Sequence, residues 1–266
     1  MPSLRLALHQ GPAGVPGTVE DGLAALDGAA RAAAAGGARL LVTPELSLTG
    51  YALGDRVAER AEPADGPASR EAARIAAAHG IAVVHGYPER DPEGGALYNS
   101  AALVGPDGRL LAGYRKTHLY GSYETEHFTP GGRLVVQSVL DDVRVGLLVC
   151  YDVEFPEAVR AHALAGTELL VVPTALMRPY DIVAETVLPA RAWENQIYVA
   201  YVNRAGREGE FDFAGLSALA APDGTVPVRA GREPDLLFAD VDTGLLRASR
   251  AENSYLTDRR PGLYTA

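Results

Sequence analysis

Three residues of complementary chemistry each come directly after an apolar stretch of the sequence. Glu45 follows Leu-Leu-Val-Thr-Pro, Lys116 follows Leu-Ala-Gly-Tyr-Arg, and Cys150 follows Leu-Leu-Val. A thiol has a reference pKa of about 8.5 and is a weak nucleophile at neutral pH unless a base or a cation lies beside it. A glutamate and a lysine would supply both. We therefore interpret these residues as candidates for thiol-dependent catalysis.

Cys150 is the only cysteine of the sequence, so an intramolecular disulfide is excluded. Its side chain is then either a small buried hydrophobe or a reactive thiol. A Cys–His pair with His118 is an alternative, but the local signature of papain-like proteases is absent. The six histidines show no His-Glu-x-x-His spacing, and neither a phosphate loop nor a dinucleotide fingerprint occurs. We expect chemistry without a metal or another cofactor.

The segments around these residues predict alternating strands and helices. The first helix should begin at a capping box of Thr18 and Asp21 and end at Gly36. Pro156 favours the start of a helix soon after Cys150, which places the cysteine at a strand-to-helix elbow. Strands are predicted at 4–9, 39–43, 81–87, 101–104, 109–114, 143–149, 168–172 and 197–202, and helices at about 18–35, 68–79, 156–164 and 181–195.

Hairpins occur among these crossover helices. The turn at 105–108 contains Pro-Asp-Gly, and the same signal recurs at 222–224. This mixture favours a layered α/β architecture over a purely parallel sheet. Ligands bind at the carboxyl ends of strands in open α/β sheets. Because Glu45, Lys116 and Cys150 all come at strand ends, we expect them to share one rim.

The length of 266 residues is ordinary for one α/β domain, so we predict a single domain, 1–266. A formal net charge of −10 opposes attraction to phosphate backbones and anionic lipid, so neither nucleic acid nor a membrane is an expected partner. No apolar stretch approaches the roughly 20 residues of a membrane span, and the N-terminus lacks a signal-peptide pattern. We expect a soluble, cytoplasmic protein.

The tail after about residue 243 shows little periodicity. It nevertheless contains Tyr255, Leu256 and Tyr264, which are too apolar to be left in water. We expect the tail to pack on the body of the domain or on a second subunit.

Longer motifs around the three candidate residues resemble those of the nitrilase superfamily, the carbon-nitrogen hydrolases. The motifs before the cysteine are Pro44-Glu45 with Thr49-Gly50-Tyr51, and Lys116-Thr117-His118-Leu119; the cysteine lies in Cys150-Tyr151-Asp152 with Glu154-Phe155-Pro156-Glu157. Further similarity continues through Val172-Pro173-Thr174-Ala175, Arg191-Ala192-Trp193-Glu194-Asn195 and Asn203. The resemblance thus spans most of the chain.

The resemblance implies a four-layer αββα sandwich, commonly paired into a homodimer. It also implies a catalytic triad in which Glu45 is the general base, Lys116 stabilises an oxyanion and Cys150 forms a thioester. The backbone N–H of Tyr151, the residue after the nucleophile, would be a second oxyanion donor. Thr174 and Ala175 match the segment that lines the family's substrate pocket.

The resemblance further implies a second glutamate beside the triad. Glu124 matches it by its spacing of eight residues from Lys116, and Glu126 is the nearby competitor. Tyr51 and Tyr120 lie close to triad residues in sequence and are either core residues or walls of the substrate pocket.

The substrate is implied only by resemblance. The compact length and the Leu-Leu-Val-Cys-Tyr-Asp-Val-Glu-Phe-Pro-Glu run are similar to small bacterial amidases that act on aliphatic carboxamides. The same triad would serve a nitrilase, an N-carbamoyl amine amidohydrolase or an ω-amidase. A catalytically silent domain that binds a small molecule or a partner is the alternative of another class. We expect Asp152, Glu154 and Glu157 to anchor the elbow through hydrogen bonds and arginine pairs.

Overall fold

The computed structural model describes residues 3–264, which form two six-stranded sheets with helices against their outer faces. The strands are β1 Ser3–Gln10, β2 Leu40–Val42, β3 Ala82–Arg90, β4 Leu97–Val104, β5 Leu110–Arg115, β6 Gln137–Leu140, β7 Val143–Leu147, β8 Leu169–Pro173, β9 Tyr198–Val202, β10 Ala205–Glu208, β11 Phe211–Ala214, β12 Ala218–Ala220, β13 Val228–Arg229 and β14 Asp235–Asp242. The α-helices are α1 Val19–Ala35, α2 Arg56–Arg60, α3 Pro67–His79, α4 Gly121–His127, α5 Pro156–Leu164, α6 Leu188–Asn195, α7 Thr243–Glu252 and α8 Tyr255–Asp258. Short 3₁₀ turns span Cys150–Glu154 and Pro261–Leu263, and a π-helical turn spans Val183–Val187.

The two sheets have the same arrangement of parallel and antiparallel strands. Their strand orders are β14-β1-β2-β3-β4-β5 and β13-β12-β9-β8-β7-β6. In the first sheet β1, β2 and β3 are parallel, and in the second β7, β8 and β9 are parallel, while the outer strands pair antiparallel. Parallel neighbours need crossover connections, and the helices supply them. β10 and β11 form a separate hairpin.

Side-chain alternation along the strands divides the core into layers. On β1, Leu6 and Leu8 are fully buried in a cluster that also contains Val145 and Leu169 of the second sheet. The intervening Ala7 points to the other face and packs with α1 and α3. The apolar inner faces of the two sheets therefore pack on each other.

Helices cover both outer faces. On the second sheet Gly146 lies so close to α5 that a Cβ there would be 2.5 Å from Nδ1 of His162. Leu26 of α1 and Ile75 of α3 are buried on the first sheet. The layers therefore run helix, sheet, sheet, helix, and the predicted αββα sandwich is confirmed.

The first helix begins as predicted from its capping box. The Asp21 N–H donates to Oγ1 of Thr18 at 3.1 Å, and the Thr18 N–H donates to the Asp21 carboxylate at 2.9 Å. The helix ends at Ala35, immediately before the predicted stop at Gly36.

The helix predicted at 181–195 is only partly an α-helix. A π-helical turn occupies Val183–Val187, where the Leu188 N–H donates to the carbonyl of Val183, and α6 begins at Leu188. Pro189 has no N–H to donate, so the backbone widens there without losing a hydrogen bond. The predicted helix is therefore present over most of 181–195, but its first part is π-helical.

The tail is more ordered than its sequence indicates. α7 buries only Thr243, Leu246 and Ser249, a stripe too short and polar to stand out as periodicity. Oγ of Ser249 donates to Oε1 of Gln196 at 2.6 Å, which ties this helix to the C-terminal end of α6. Leu256 packs partly against the core, whereas Tyr264 is 60% exposed. Residues 265–266 of the tail lie outside the described residues.

Within residues 3–264, no helix has both the length and the apolar composition needed to cross a bilayer.

A fully buried histidine makes the fold sensitive to acid. His85 on β3 has no exposed surface, and neither ring nitrogen has a hydrogen-bond partner among the described residues. Burial lowers the pKa of His85 from 6.5 to about 4, because the imidazolium would lose its hydration. The unfolded chain then binds a proton between pH 6.5 and 4 that the folded chain does not. The stability that neutral His85 contributes is therefore present above pH 6.5 and is lost as the pH falls towards 4.

We predict that His85→Leu makes the fold less sensitive to acid. The free energy of unfolding of the wild type should lose about 3 kcal/mol through this one group by pH 4, and the leucine variant should not show that share of the loss. Urea unfolding of both proteins at pH 7.5 and pH 4.5 measures the difference. Equal pH dependence in the two proteins would contradict the prediction.

Candidate active site

The ends of three strands bring the candidate residues together. Glu45 comes three residues after β2, Lys116 directly after β5, and Cys150 opens the 3₁₀ turn that follows β7. Glu45 is 1% exposed, Lys116 is fully buried and Cys150 is 8% exposed. The expected shared rim is thus a buried site formed by both sheets.

An ammonium between two carboxylates forms the centre of this site. Nζ of Lys116 donates to Oε1 of Glu45 at 2.8 Å and to Oε1 of Glu124 at 2.7 Å. Glu124, on α4, is fully buried, whereas Glu126 is exposed. The structure therefore places Glu124, and not its competitor, against the lysine.

Only one oxygen of Glu45 is held. Oε1 of Glu45 accepts hydrogen bonds from Lys116 and from Nδ2 of Asn99, the latter at 2.6 Å. Oε2 is buried and has no hydrogen-bond partner among the described residues. Burial raises the pKa of Glu45, and the opposing attraction of Lys116 only partly offsets it. A held carboxylate with a free oxygen and a raised pKa is suited to accept a proton.

The lysine remains a cation despite its burial. Burial alone would lower the pKa of Lys116, but the attraction of Glu124 and Glu45 outweighs it and leaves the pKa well above its ordinary value. The thiol behaves in the opposite way. Burial first, and then repulsion by Glu45, raises the pKa of Cys150 well above its ordinary value, although Lys116 and the backbone N–H of Ala175 oppose the shift. The resting thiol is therefore protonated and needs a base.

Asp152 holds the elbow that carries the cysteine. Its carboxylate accepts hydrogen bonds from the Val149 N–H at 3.1 Å, the Tyr114 hydroxyl at 2.8 Å and the His118 N–H at 2.9 Å. Cys150 itself has φ of +49°, a left-handed conformation that costs a non-glycine residue about 1–3 kcal/mol. The buried carboxylate fixes both sides of this strained residue.

Arg191 of α6 secures the other end of the same turn. Its Nε donates to the Val153 carbonyl at 3.0 Å, and Nη2 donates to the Glu154 carbonyl at 2.7 Å. The expected anchoring is thus found for Asp152, but it differs for the two glutamates. Glu154 contributes its backbone to Arg191, and the Glu157 side chain is exposed.

His118 belongs to the same support. Its Nδ1 lies 2.8 Å from Oδ1 of Asp152, and its ring stacks on Phe155 with centroids 3.9 Å apart. These contacts commit the imidazole to the elbow and not to Cys150. Within the described residues, no group of three His, Cys, Asp or Glu side chains is placed to hold a metal ion.

Tyr51 and Tyr120, the two tyrosines singled out in the sequence, each donate a hydrogen bond to a different oxygen of Glu124. The Tyr51 hydroxyl donates to Oε1 of Glu124 at 2.8 Å, and the ring is 2% exposed. Tyr120 donates its backbone N–H to Oε2 of Glu124 at 2.8 Å, and its ring meets the edge of Tyr151 at 5.2 Å. Tyr51 is therefore a buried support, whereas Tyr120 and Tyr151 lie together near the cysteine.

The predicted pocket segment after β8 lies against the triad. The Thr174 carbonyl accepts the backbone N–H of Glu45 at 3.3 Å, while the Thr174 hydroxyl donates to the Val172 carbonyl at 3.2 Å. Ala175, 3% exposed, presents its N–H towards the sulfur. Thr174 thus contacts Glu45 through its backbone, and its hydroxyl bonds within its own strand end.

Several residues of the site were not found from the sequence. Asn99 reaches Glu45 because the antiparallel β4 places it beside Lys116, whose N–H donates to the Asn99 carbonyl at 2.8 Å. Arg204, 3% exposed, donates from Nη2 to the carbonyl oxygen of Glu45. No local motif predicts these long-range contacts. One unused signal is compositional: Lys116 is the only lysine among 24 lysines and arginines.

Comparisons with known proteins agree with this geometry. The carbon-nitrogen hydrolase family model matches residues 5–251. The chain is 47% identical to a hydrolase encoded in the pqqF 5′ region of Pseudomonas protegens, over 85% of this chain and 80% of that protein. It is 41% identical to an (R)-stereoselective amidase of a Pseudomonas species, over 86% of this chain and 82% of that protein.

A solved structure has the same fold. It is a mutant of the amidase from Nesterenkonia sp. AN1 with the acetamide moiety of fluoroacetamide added covalently at the active-site cysteine. The superposition of the two structures has a TM-score of 0.88 and covers 98% of this chain and 95% of the Nesterenkonia chain, and the two sequences are 38% identical. The family model and the two relatives each cover most of the sequence, and the chain belongs to the carbon-nitrogen hydrolase family.

Proposed function

We propose that this protein is an amidase that hydrolyses a small aliphatic carboxamide to the carboxylic acid and ammonia through a thioester on Cys150. The observation that carries the proposal is Oε2 of Glu45, which has no hydrogen-bond partner in the part of the chain that the structure describes and is buried in one cluster with the Lys116 ammonium and a protonated thiol. This arrangement provides a nucleophile, a base and a cation in a site from which water is largely excluded.

The first half-reaction begins with proton transfer from the thiol to Glu45. The thiolate sulfur then attacks the amide carbon, and the carbonyl electron pair moves onto oxygen. The Lys116 ammonium and the Tyr151 backbone N–H stabilise this oxyanion; loss of one such donor typically costs about 2.7–4 kcal/mol of barrier. Glu45 returns its proton to the nitrogen, and ammonia leaves as the C–N bond breaks.

The second half-reaction uses the same carboxylate. Glu45, again ionised, takes a proton from water, and the resulting hydroxide attacks the thioester carbon. The C–S bond breaks, and the sulfur recovers the proton as the carboxylic acid leaves. A raised pKa suits a group that must hold and release a proton in both steps.

Glu124 has a different proposed role. Both of its oxygens are occupied, Oε1 by Lys116 and Tyr51 and Oε2 by the Tyr120 N–H. It therefore has no free oxygen for proton transfer and instead orients the ammonium. Its negative charge also keeps Lys116 protonated.

The limited exposure of the nucleophile favours a small substrate. Cys150 is 8% exposed, and the rings of Tyr120 and Tyr151 meet nearby. Two of the similar proteins, one from Pseudomonas and one from Nesterenkonia, are named amidases, which supports an amide as the reacting group of the substrate. A nitrile, a carbamoyl amine or an ω-amide would use the same chemistry, and a silent binding domain would use none.

We predict ammonia release from short aliphatic amides by the wild type, and loss of turnover in Cys150→Ala by at least about a hundredfold, because the variant has no thiol to form the thioester. The panel should contain short amides, nitriles, carbamoyl amines and ω-amides, measured by ammonia release. Iodoacetamide should inactivate the wild type by modifying one site, with protection by substrate. Silence across the whole panel would favour the binding domain.

We predict that Lys116→Arg lowers kcat/KM by about a hundredfold or more, because the planar guanidinium cannot replace a compact ammonium held between two carboxylates. Arg39→Lys is the matched control, since it exchanges the same two residue types in an exposed pair with Asp141. Near-normal kcat/KM in Lys116→Arg would mean that the ammonium does not contact the oxyanion.

We predict that Glu45→Gln accumulates acyl-enzyme. The neutral amide cannot deprotonate water, so a variant that still manages slow attack should stop at the thioester. Intact-protein mass spectrometry after incubation with an activated ester should show the acyl mass on the Cys150 peptide. Glu124→Gln should turn over faster than Glu45→Gln, and no adduct in either protein would argue against covalent catalysis.

A further inference from the structure

We propose that the buried ion pair between Arg204 and Glu208 positions both active-site carboxylates, and through them sets the reactivity of Cys150. The inference rests on the proposed function, since it assigns Glu45 the role of base. Arg204 and Glu208 are positioning residues, because the described hydrogen bonds of their side chains are with the protein backbone and with each other.

Arg204 holds the base by its backbone. Nη1 of Arg204 donates to Oε2 of Glu208 at 2.7 Å, and Nη2 donates to the carbonyl oxygen of Glu45. Arg204 and Glu208 are each 3% exposed. A planar guanidinium with two donors in use fixes direction as well as distance, so the Glu45 backbone is oriented relative to the hairpin of β10 and β11.

Glu208 holds the second glutamate through a tyrosine. Oε1 of Glu208 accepts the backbone N–H groups of Tyr51 at 2.6 Å and Ala52 at 2.7 Å. The hydroxyl of the same Tyr51 donates to Oε1 of Glu124 at 2.8 Å. One carboxylate on β10 therefore orients the residue that contacts Glu124, while its arginine partner orients Glu45.

Gly50 and Phe213 pack closely around the Arg204–Glu208 pair and restrict its position. Gly50 has φ of +86°, and a Cβ at that position would lie 2.9 Å from Oε1 of Glu208. Phe213 of β11 lies below the Arg204 guanidinium at 5.5 Å and meets the Tyr51 ring edge at 5.8 Å. Small shifts of the hairpin would therefore move the contacts to both carboxylates together.

Packing around the Glu45 loop is uneven. Gly86 of β3 lies so close that a Cβ there would be 3.0 Å from the carbonyl carbon of Glu45, but the loop also borders a cavity. The cavity, of about 330 Å³, is lined in part by Pro44, Ser47, Leu48 and Arg204. Close packing normally transmits position through a protein interior, but it is interrupted at this cavity. The Arg204 hydrogen bond is therefore a main restraint on this side of the base.

The test compares Glu208→Asp, Glu208→Gln and Arg204→Lys with the wild type. Aspartate keeps the charge but is one methylene shorter, glutamine keeps the length but loses the charge, and lysine loses the fork of donors. Asp141→Asn and Arg39→Lys are matched controls, because they make the same chemical changes in an exposed bidentate pair away from the triad. Tm reports folding of every variant.

Two measurements report whether Glu45 and Glu124 are correctly positioned. The first is amide turnover, for which kcat should fall by about tenfold to a hundredfold in the three variants while KM changes by less than about twofold. The second is the rate of Cys150 alkylation by iodoacetamide, which requires only the thiol and its base and should fall with kcat. Glu208→Asp should retain more of both than Glu208→Gln, and the controls should match the wild type.

The outcomes separate the two proposals. If the wild type hydrolyses no amide, the proposed function is wrong. A wild type that turns over, with any folded variant of the pair retaining both kcat and the alkylation rate, would overturn the positioning role alone. Failure of all three variants to fold would overturn it as well, because the pair would then serve folding and not positioning.

Discussion

Burying one ammonium between two carboxylates is the constraint on which the rest of this site depends. An unpaired charge in a protein interior is too costly to persist, and removing one partner of a buried pair typically destabilises a protein by about 3–5 kcal/mol. Here Lys116, Glu45 and Glu124 carry an excess of one negative charge with almost no contact with water. Such a cluster survives only if further donors satisfy the carboxylates, and Asn99, Tyr51 and Tyr120 are those donors.

The excess negative charge has a chemical consequence. Burial first, and then this excess negative charge, raises the pKa of Cys150, so the site does not store a thiolate. In the proposed mechanism the thiol instead loses its proton to Glu45 when substrate arrives and brings a carbonyl that can accept charge beside Lys116. This differs from cysteine sites in which a cation or a helix N-terminus depresses the thiol pKa in the resting protein. In the same proposed mechanism, the left-handed φ of Cys150, held by Asp152, would fix the direction from which the sulfur attacks.

The sequence was informative where chemistry and secondary structure coincide. Glu45, Lys116 and Cys150 each come at or shortly after a strand end, and strand ends can be predicted from apolar runs, so their meeting could be inferred. Asn99, Arg204 and Glu208 could not be inferred. They reach the site through the antiparallel register of β4 and through a hairpin of two four-residue strands, and neither leaves a periodic pattern. The π-helical turn before α6 was missed because periodicity predicts that a helix exists but not its hydrogen-bond register.

The general base that we propose at Glu45 has two opposing requirements, since its location must be fixed while one of its oxygens stays unbound. The structure meets them with different parts of the same residue. Oε1 of Glu45 accepts from Lys116 and Asn99, its backbone N–H donates to Thr174 and its carbonyl accepts from Arg204. Oε2 alone has no hydrogen-bond partner within residues 3–264. If Glu45 were held only through its carboxylate, both oxygens would need hydrogen-bond donors to fix its position. Those donors would lower its pKa and make it a weaker base. Because the backbone carries the restraint, proton transfer can change the charge of Glu45 without releasing it from its place.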